Sequence, residues 1–253
     1  MKVKNRLLNF GDMIIYQDND YFLFSLDSVL LANFVNIKLT DKKIIDLCSG
    51  NGPVPMLMFF RTKARIFGVE IQKYIYDLGL LSIKENGMDN QISFINNDVK
   101  ELNKLFEPES FDVVTCNPPY FKYNDGSLIN RNDGKAIARH EVKLKIEDVI
   151  FESNYLLKNG GTFAMVHRPD RFMEIIMLMK QYNIEPKRVR FVYPKIGKNA
   201  NMILIEGVKN GKSGFKVLNP LIVYNENNEY VDEIKKMYSY ADKEWYYVAK
   251  KLW

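Results

Sequence analysis

Residues 116–120 read Cys-Asn-Pro-Pro-Tyr and directly follow the apolar run Phe111-Asp112-Val113-Val114-Thr115. Pro118 and Pro119 offer no backbone donor and fix their own φ, so a strand that reaches them stops pairing and ends in a stiff, exposed turn. Such a turn can be punctuation and nothing more. It can also be a rigid cradle that holds the Asn117 side chain, a proline carbonyl and the Tyr120 ring at the edge of a sheet. What stands nearby decides between the two.

A second set of residues with chemical potential begins at Ile44-Ile45-Asp46-Leu47-Cys48-Ser49-Gly50-Asn51-Gly52. Asp46 lies near a strand end, and Gly50 and Gly52 occupy the turn that follows, where glycine lets the backbone approach a ligand closely. Pro53 and Pro55 stand where a dinucleotide fingerprint would carry its third glycine, so the turn need not cradle a pyrophosphate. The next apolar run ends on Glu70, at the position where an acid can accept from both hydroxyls of a ribose, with Ile71 after it. The run after that closes on Asp98, which can take an exocyclic amine of adenine while the Val99 amide serves a ring nitrogen. Each carboxylate alone also suits a helix cap or a turn. Together with the glycine turn they describe an adenosine site without a phosphate requirement, which suits S-adenosylmethionine. No metal is expected.

The elements that must position these groups alternate along the chain. Residues 42–48, 64–70, 91–98, 111–117 and 161–167 are short, apolar and β-branched, and the segments between them carry apolar residues at helical spacing. Glycine and asparagine in Glu85-Asn86-Gly87 and Lys158-Asn159-Gly160-Gly161 are expected to stop the helices before them. Strand, helix and strand in repetition predict a parallel sheet covered on both faces, with ligands at the carboxyl ends of its strands. Residues 186–194 and 201–209 are joined by too few residues for a crossover helix and are expected to form an antiparallel hairpin. A parallel sheet that finishes in such a hairpin resembles the class I methyltransferase (Rossmann-like) fold more than a dinucleotide dehydrogenase, so the expected fold is α/β with a seven-stranded, mostly parallel sheet ending in that hairpin. The expected division is an N-terminal extension (1–40) over the cofactor site, a methyltransferase domain (41–224) and a C-terminal helical tail (225–253).

With 253 residues, 47% of them apolar and 26% charged, the chain can bury a full core. No stretch approaches the roughly 18 apolar residues of a membrane span, and a cytoplasmic location is expected. Two cysteines, Cys48 and Cys116, and two histidines, His140 and His167, argue for reduced thiols and against a disulfide framework or a zinc cluster. The net charge of +5 is unevenly placed: residues 180–216 hold nine Lys or Arg against Glu185 and Glu206. A basic segment on a near-neutral body is the electrostatic footprint of a polyanion-binding face, with a solvated lysine-rich surface as the plain alternative.

Asp-Leu-Cys-Ser-Gly-Asn-Gly, Gly-Val-Glu, Asn-Asn-Asp and Asn-Pro-Pro-Tyr stand in the order and spacing of the amino-methyltransferases. The resemblance runs over roughly residues 40–207. Asn-Pro-Pro-Tyr resembles the motif of enzymes that methylate planar nitrogens. More narrowly, residues 22–34, the Ala-Arg-His-Glu after the motif, Leu-Leu-Lys-Asn-Gly-Gly-Thr-Phe and Gly-Lys-Asn-Ala-Asn-Met-Ile-Leu-Ile-Glu resemble the tRNA1(Val) adenine-37 N6-methyltransferase family.

That resemblance implies an adenine of tRNA as substrate. Asn117 and Pro118 would accept from N6, Pro119 would stiffen the turn, and Tyr120 or Phe121 would stack on the base. It implies cofactor contacts from Asp27, Asp46, Cys48, Gly50, Gly52, Glu70, Ile71, Asp98, Val99 and Asn117, Asp27 serving the methionine amino group or else capping its helix. The loop after Tyr120 is long, polar and rich in Gly and Asn, and reads either as an inert surface loop or as one that orders on RNA through Lys122, Tyr123, Arg131, Lys135, Arg139 and His140, with His140 as an anchor and Lys195 and Lys198 extending the contact. No obligatory protein partner is implied. A protein glutamine methyltransferase and a non-catalytic RNA-binding module remain the alternatives.

Overall fold

A computed structural model of the chain describes residues 2–6, 13–19, 21, 24–118, 120 and 144–238. The expectations for Pro119, Phe121, Lys122, Tyr123, Arg131, Lys135, Arg139 and His140 lie outside those residues. The first elements are an antiparallel hairpin, β1 (Lys2–Arg6) and β2 (Ile14–Asp18), and a helix, α1 (Leu26–Phe34). The sheet then builds from β3 (Lys43–Leu47), β4 (Arg65–Glu70), β5 (Ile92–Asn96), β6 (Phe111–Cys116), β7 (Leu157–His167), β8 (Ile184–Tyr193) and β9 (Met202–Lys209). These are the seven expected strands.

Their order across the sheet is β5-β4-β3-β6-β7-β9-β8, parallel except where β9 runs antiparallel between β7 and β8. Beyond β8 the structure adds two strands of two residues each, β10 (Lys216–Val217) and β11 (Leu221–Ile222), both parallel to it. Segments this short carry no periodicity to read.

Helices cover both faces. On one side α1, α2 (Pro53–Phe59), α3 (Lys73–Glu85) and a C-terminal α6 (Asp232–Tyr238) share a core with Ile44, Val113, Ala164 and Val166. On the other, α4 (Ile146–Leu156), α5 (Phe172–Gln181) and a 3-10 turn (Val99–Lys104) enclose Ile45, Val114, Phe163 and Met165. Consecutive strand residues thus face opposite cores, which is why these strands read as unbroken apolar runs.

Two boundaries differ from expectation. Helix α4 stops at Leu156 and β7 starts at Leu157, so Lys158-Asn159-Gly160-Gly161 lies inside a strand. Leu157 pairs with Phe111, and the register then slips before Thr162 pairs with Val113, with Gly160 at φ 76° taking up the irregularity. At the other end, residues 10–34 read from the sequence as a hairpin followed by a helix, whereas the first strand of that hairpin, β1, begins at Lys2. The hairpin docks on α3: the Ile14 amide donates to Asn86 Oδ1 at 2.9 Å and the Tyr16 amide to Ser82 Oγ at 2.9 Å.

Phe94 wedges between β4 and α3 because neither presents a side chain there. A Cβ added to Gly68 would lie 2.2 Å from the Phe94 ring and 2.9 Å from Ser49 Oγ, and one added to Gly79 would lie 2.5 Å from the same ring. Gly68→Ala is therefore expected to lower stability by about 1 to 3 kcal/mol through overpacking, read as a fall in the denaturation midpoint at constant slope.

Candidate functional site

β3 and β6 are hydrogen-bonded neighbours with Leu47 opposite Cys116. The glycine turn after Leu47 and the Asn-Pro-Pro-Tyr turn after Cys116 therefore leave the sheet side by side at its carboxyl edge. The first turn winds through Cys48 at φ 57°, Gly50 at φ 56° and Gly52 at φ 93°. These left-handed values explain the glycines, and α2 follows with Pro53 at its first position, where a missing amide hydrogen costs nothing.

Asp46 and Glu70 brace this turn from beneath. Asp46 is buried, and its carboxylate accepts from Thr115 Oγ1 at 2.6 Å and from Ser49 Oγ at 2.7 Å. The Ser49 amide in turn donates to the Val69 carbonyl at 2.8 Å. Both Asp46 oxygens thus serve the protein, beneath the turn. Burial pushes its carboxyl up to about 7, against the pull of the Thr115 and Ser49 hydroxyls. Glu70 accepts from the Gly50 amide at 3.0 Å and from the Gln72 amide at 2.8 Å, and burial pushes it up to about 7 as well. Asn96 Nδ2 ties down the carbonyls of Glu70 at 2.8 Å and Ile71 at 3.1 Å.

Because the Gly50 amide is directed at a carboxylate, the turn offers poor reception to phosphate and good reception to hydroxyl donors. That is the chemistry of a nucleoside rather than a dinucleotide, and the residues present fit the adenosine of S-adenosylmethionine. Asp98 lies further along the edge, after β5, accepting from the Lys100 amide at 3.0 Å as the cap of the 3-10 turn that opens with buried Val99.

The second turn carries a side-chain cluster. Tyr120 OH lies 2.6 Å from Asn117 Oδ1 and also donates to Asp27 Oδ2. Asp27, buried in the first turn of α1, accepts at its other oxygen from the Ser25 hydroxyl and from the Ser28 amide at 3.2 Å. Burial and the Asp27 carboxylate push the Tyr120 phenol well above its usual range, so it keeps its proton. The Tyr120 ring meets His167, at the end of β7, edge to face with centroids 5.4 Å apart. His167 Nδ1 accepts from the Arg168 amide at 2.8 Å, which places the ring proton on Nε2. Burial, with the Arg171 guanidinium nearby, holds this imidazole down at about 4, so it is neutral.

The structure thus gathers Asp27, Cys48, Gly50, Gly52, Glu70, Asn117 and Tyr120 around two adjacent turns, with Pro118 buried beside them. Lys195 and Lys198 stand on the same edge, since their turn joins β8 to β9 where Ile203 pairs with His167. Ser49, Asn51, Thr115 and His167 join these groups without having been expected in the site. Asn51 Nδ2 donates to the Tyr16 carbonyl at 2.8 Å and fastens the N-terminal hairpin to the glycine turn. Thr115 was visible as the one hydroxyl in an apolar run beside Asp46's strand, a buried donor in need of an acceptor.

Much of the basic segment is occupied internally. Arg188 pairs with buried Glu206 at 2.9 Å and reaches the Phe34 carbonyl at 2.6 Å, while Arg190 pairs with Glu233 at 2.6 Å. Lys209 donates to Glu109 at 3.0 Å and to two main-chain carbonyls. These side chains join the hairpin to α1, α6 and the foot of α4, which narrows the basic face to its outer residues.

A sheet of this order and polarity, with a glycine turn braced by acids beside an Asn-Pro-Pro-Tyr turn, defines a class I methyltransferase domain. A family model described as a methyltransferase domain matches residues 38–213, and the chain belongs to that family. A Bacteroides thetaiotaomicron protein named tRNA1(Val) (adenine(37)-N6)-methyltransferase is 24% identical over 237 residues, covering 92% of this chain and 95% of its own length. A protein of the same name from Histophilus somni is 25% identical over 92% of this chain and 96% of its own length. Among solved structures, a predicted O-methyltransferase from Agrobacterium tumefaciens superposes with a TM-score of 0.68 at 19% identity, over 85% of this chain and 96% of that one. Among the described residues, no helix is long and apolar enough to cross a membrane.

Proposed function

We propose that the protein methylates N6 of an adenine in tRNA, with adenine 37 beside the anticodon of a valine tRNA as the target, using S-adenosylmethionine. The observation that carries this reading is the pairing of Leu47 with Cys116, which sets the glycine turn and the Asn-Pro-Pro-Tyr turn next to each other. Donor and acceptor can then meet in line, and holding them so is most of the catalytic task. The relatives that match this chain over nine-tenths of its length carry that activity in their names.

S-adenosylmethionine supplies an electrophilic methyl on its sulfonium. Glu70 would hold the ribose hydroxyls and Gly50 and Gly52 would let the backbone close on the nucleoside, with Asp98 and Val99 toward the adenine. Asn117 and the Pro118 carbonyl would each accept one N6 hydrogen, turning the nitrogen lone pair toward the methyl. Tyr120 would cover the face of the target base, a contact worth about 1 to 3 kcal/mol in nucleic-acid systems. No residue is needed as a general base, because the proton on N6 becomes acidic once the nitrogen is methylated. An adenine in an anticodon loop is already unpaired, so its presentation to the pocket costs less than flipping one from a duplex.

Incubation with methyl-labelled S-adenosylmethionine and total tRNA, followed by nucleoside analysis, tests the reading directly. Label in N6-methyladenosine is expected; label in another nucleoside, or only in protein, overturns it. Binding to tRNA should weaken steeply with salt as phosphate contacts release counterions. With Arg188 and Arg190 engaged internally, the turn lysines, exposed Lys198 and its neighbour Lys195, whose Nζ also reaches the Glu226 carbonyl at 3.3 Å, would face the RNA. Changing both to alanine is expected to flatten the salt slope by about two contacts, and an unchanged slope moves the RNA face elsewhere.

A further inference from the structure

The Tyr120 hydroxyl is within hydrogen-bonding reach of two side-chain oxygens, Asp27 Oδ2 and Asn117 Oδ1, the latter at 2.6 Å. A phenol has one proton to give. Asp27 is an acceptor on both oxygens, taking hydrogen bonds from the Ser25 hydroxyl and the Ser28 amide at Oδ1 and from the Tyr120 hydroxyl at Oδ2. A carboxylate is also the stronger of the two acceptors. The proton therefore goes to Asp27, and the Tyr120 oxygen turns lone pairs toward Asn117. Facing lone pairs, an amide oxygen is repelled and an amide nitrogen is attracted. A half-turn of the Asn117 carboxamide exchanges one for the other without moving any other atom.

The geometry points to Asp27 and the Tyr120 hydroxyl as positioning residues that select the working orientation of Asn117, with Nδ2 donating to Tyr120 and Oδ1 turned outward to accept from the substrate amine. This rests on the proposed reaction and gives Asp27 a task different from holding the methionine amino group. Asn117 has two ends of opposite polarity, and only one of them can receive an N6 hydrogen. Left to rotate, it would present a donor to a donor part of the time. The chain Asp27–Tyr120–Asn117 removes that freedom with two hydrogen bonds whose direction is set by the carboxylate. His167 steadies the same ring from the side. Its Nδ1 is taken by the Arg168 amide, and its contact is with the ring of Tyr120.

The test uses Asp27→Asn, Tyr120→Phe and the double variant, all close to isosteric. Each single variant is expected to lower kcat by about ten- to a hundredfold, the scale on which partners that orient a first group act. Affinity for S-adenosylhomocysteine should stay unchanged, and the double variant should be no slower than the slower single one. Loss of S-adenosylhomocysteine affinity in Asp27→Asn would instead place Asp27 on the cofactor, and rate losses that multiply in the double variant would break the chain; either result overturns the proposal. A second measurement needs neither tRNA nor turnover. With ¹⁵N-labelled asparagine, the Asn117 side-chain amide signal, assigned by its loss in Asn117→Ala, should be protected from exchange in the wild type and lose that protection in Tyr120→Phe. An unprotected wild-type signal overturns the proposal even where methylation of tRNA is seen. A protected signal in a protein that methylates no tRNA leaves the orientation standing and removes the proposed reaction.

Discussion

Asn117→Ala is expected to lower the single-turnover rate of methylation by about a hundredfold or more, the loss that follows when one preorganised transition-state partner is removed. The fold should hardly notice. Asn117 follows the last residue of β6, its side chain bonds Tyr120 at 2.6 Å, and Cys116 and Pro118 on either side remain to close the strand. Cofactor affinity should also persist, because Glu70 and the glycine turn stand on β4 and β3. Tyr120→Ala separates from it by weakening RNA binding as well as turnover, since a stacking face acts before and during transfer. The measurement is single-turnover methylation with saturating tRNA and cofactor, alongside circular dichroism and calorimetry of cofactor binding. An Asn117→Ala protein that is folded, loaded and close to the wild-type rate would reduce Asn-Pro-Pro-Tyr to the end of a strand.

The Asn-Pro-Pro-Tyr turn was legible in the sequence because its parts are contiguous: the strand, the prolines that end it and the ring that follows occupy residues 111–120. The same holds for the glycine turn, where left-handed backbone at Gly50 and Gly52 demands the residue type seen there. What supports these turns was not legible, because each support comes from a distant part of the chain. Thr115 meets Asp46 across 69 residues and Tyr120 meets Asp27 across 93. The hydroxyl of Thr115 in an apolar run marks a donor in need of an acceptor, but neither separation names the partner from periodicity or local composition.

The sequence carries the count of charges in residues 180–216 but not the surface they make. Arg188 and Arg190 stand in the most basic part of the chain, yet Glu206 and Glu233 consume them. Glu206 comes from the neighbouring strand and Glu233 from a helix more than forty residues away, and only the register of β8 on β9 shows that the first pair must meet. A buried pair of that kind is better evidence of what positions the hairpin than of what binds to it. The helix-to-strand change at Leu157 escaped for a different reason. Glycines normally stop a helix, but here Gly161 approaches the Asp112 carbonyl so closely that an added Cβ would lie 3.1 Å from it, and the stretch is used to enter a strand beside β6.

Glu70→Ala is expected to weaken binding of S-adenosylmethionine by about 1.5 to 3 kcal/mol, or roughly ten- to a hundredfold, the scale for losing hydrogen bonds to a charged group. The wild-type affinity should also depend on pH in a direction the site dictates. Burial raises the Glu70 carboxyl from 4.5 to about 7, so the unliganded protein holds a substantial fraction of it protonated at neutral pH. Two ribose hydroxyls donating to it favour the carboxylate, so binding expels a proton and tightens as pH climbs through about 7, levelling off above. Folding runs the other way. The folded-state value lies above the unfolded one, so the stability that Glu70 contributes is fully present below about 4.5 and is lost as pH rises through about 7. The stabilisation produced by saturating cofactor should therefore grow between pH 6 and pH 8, about the folded value, while the unliganded protein gains none from this residue. Calorimetry in buffers of different ionisation enthalpy reads the expelled proton directly, and Glu70→Gln should abolish it. An affinity that is unchanged in Glu70→Ala, or a wild-type affinity flat across that range, would take Glu70 out of the cofactor site and leave it as the brace of the Gly50 turn.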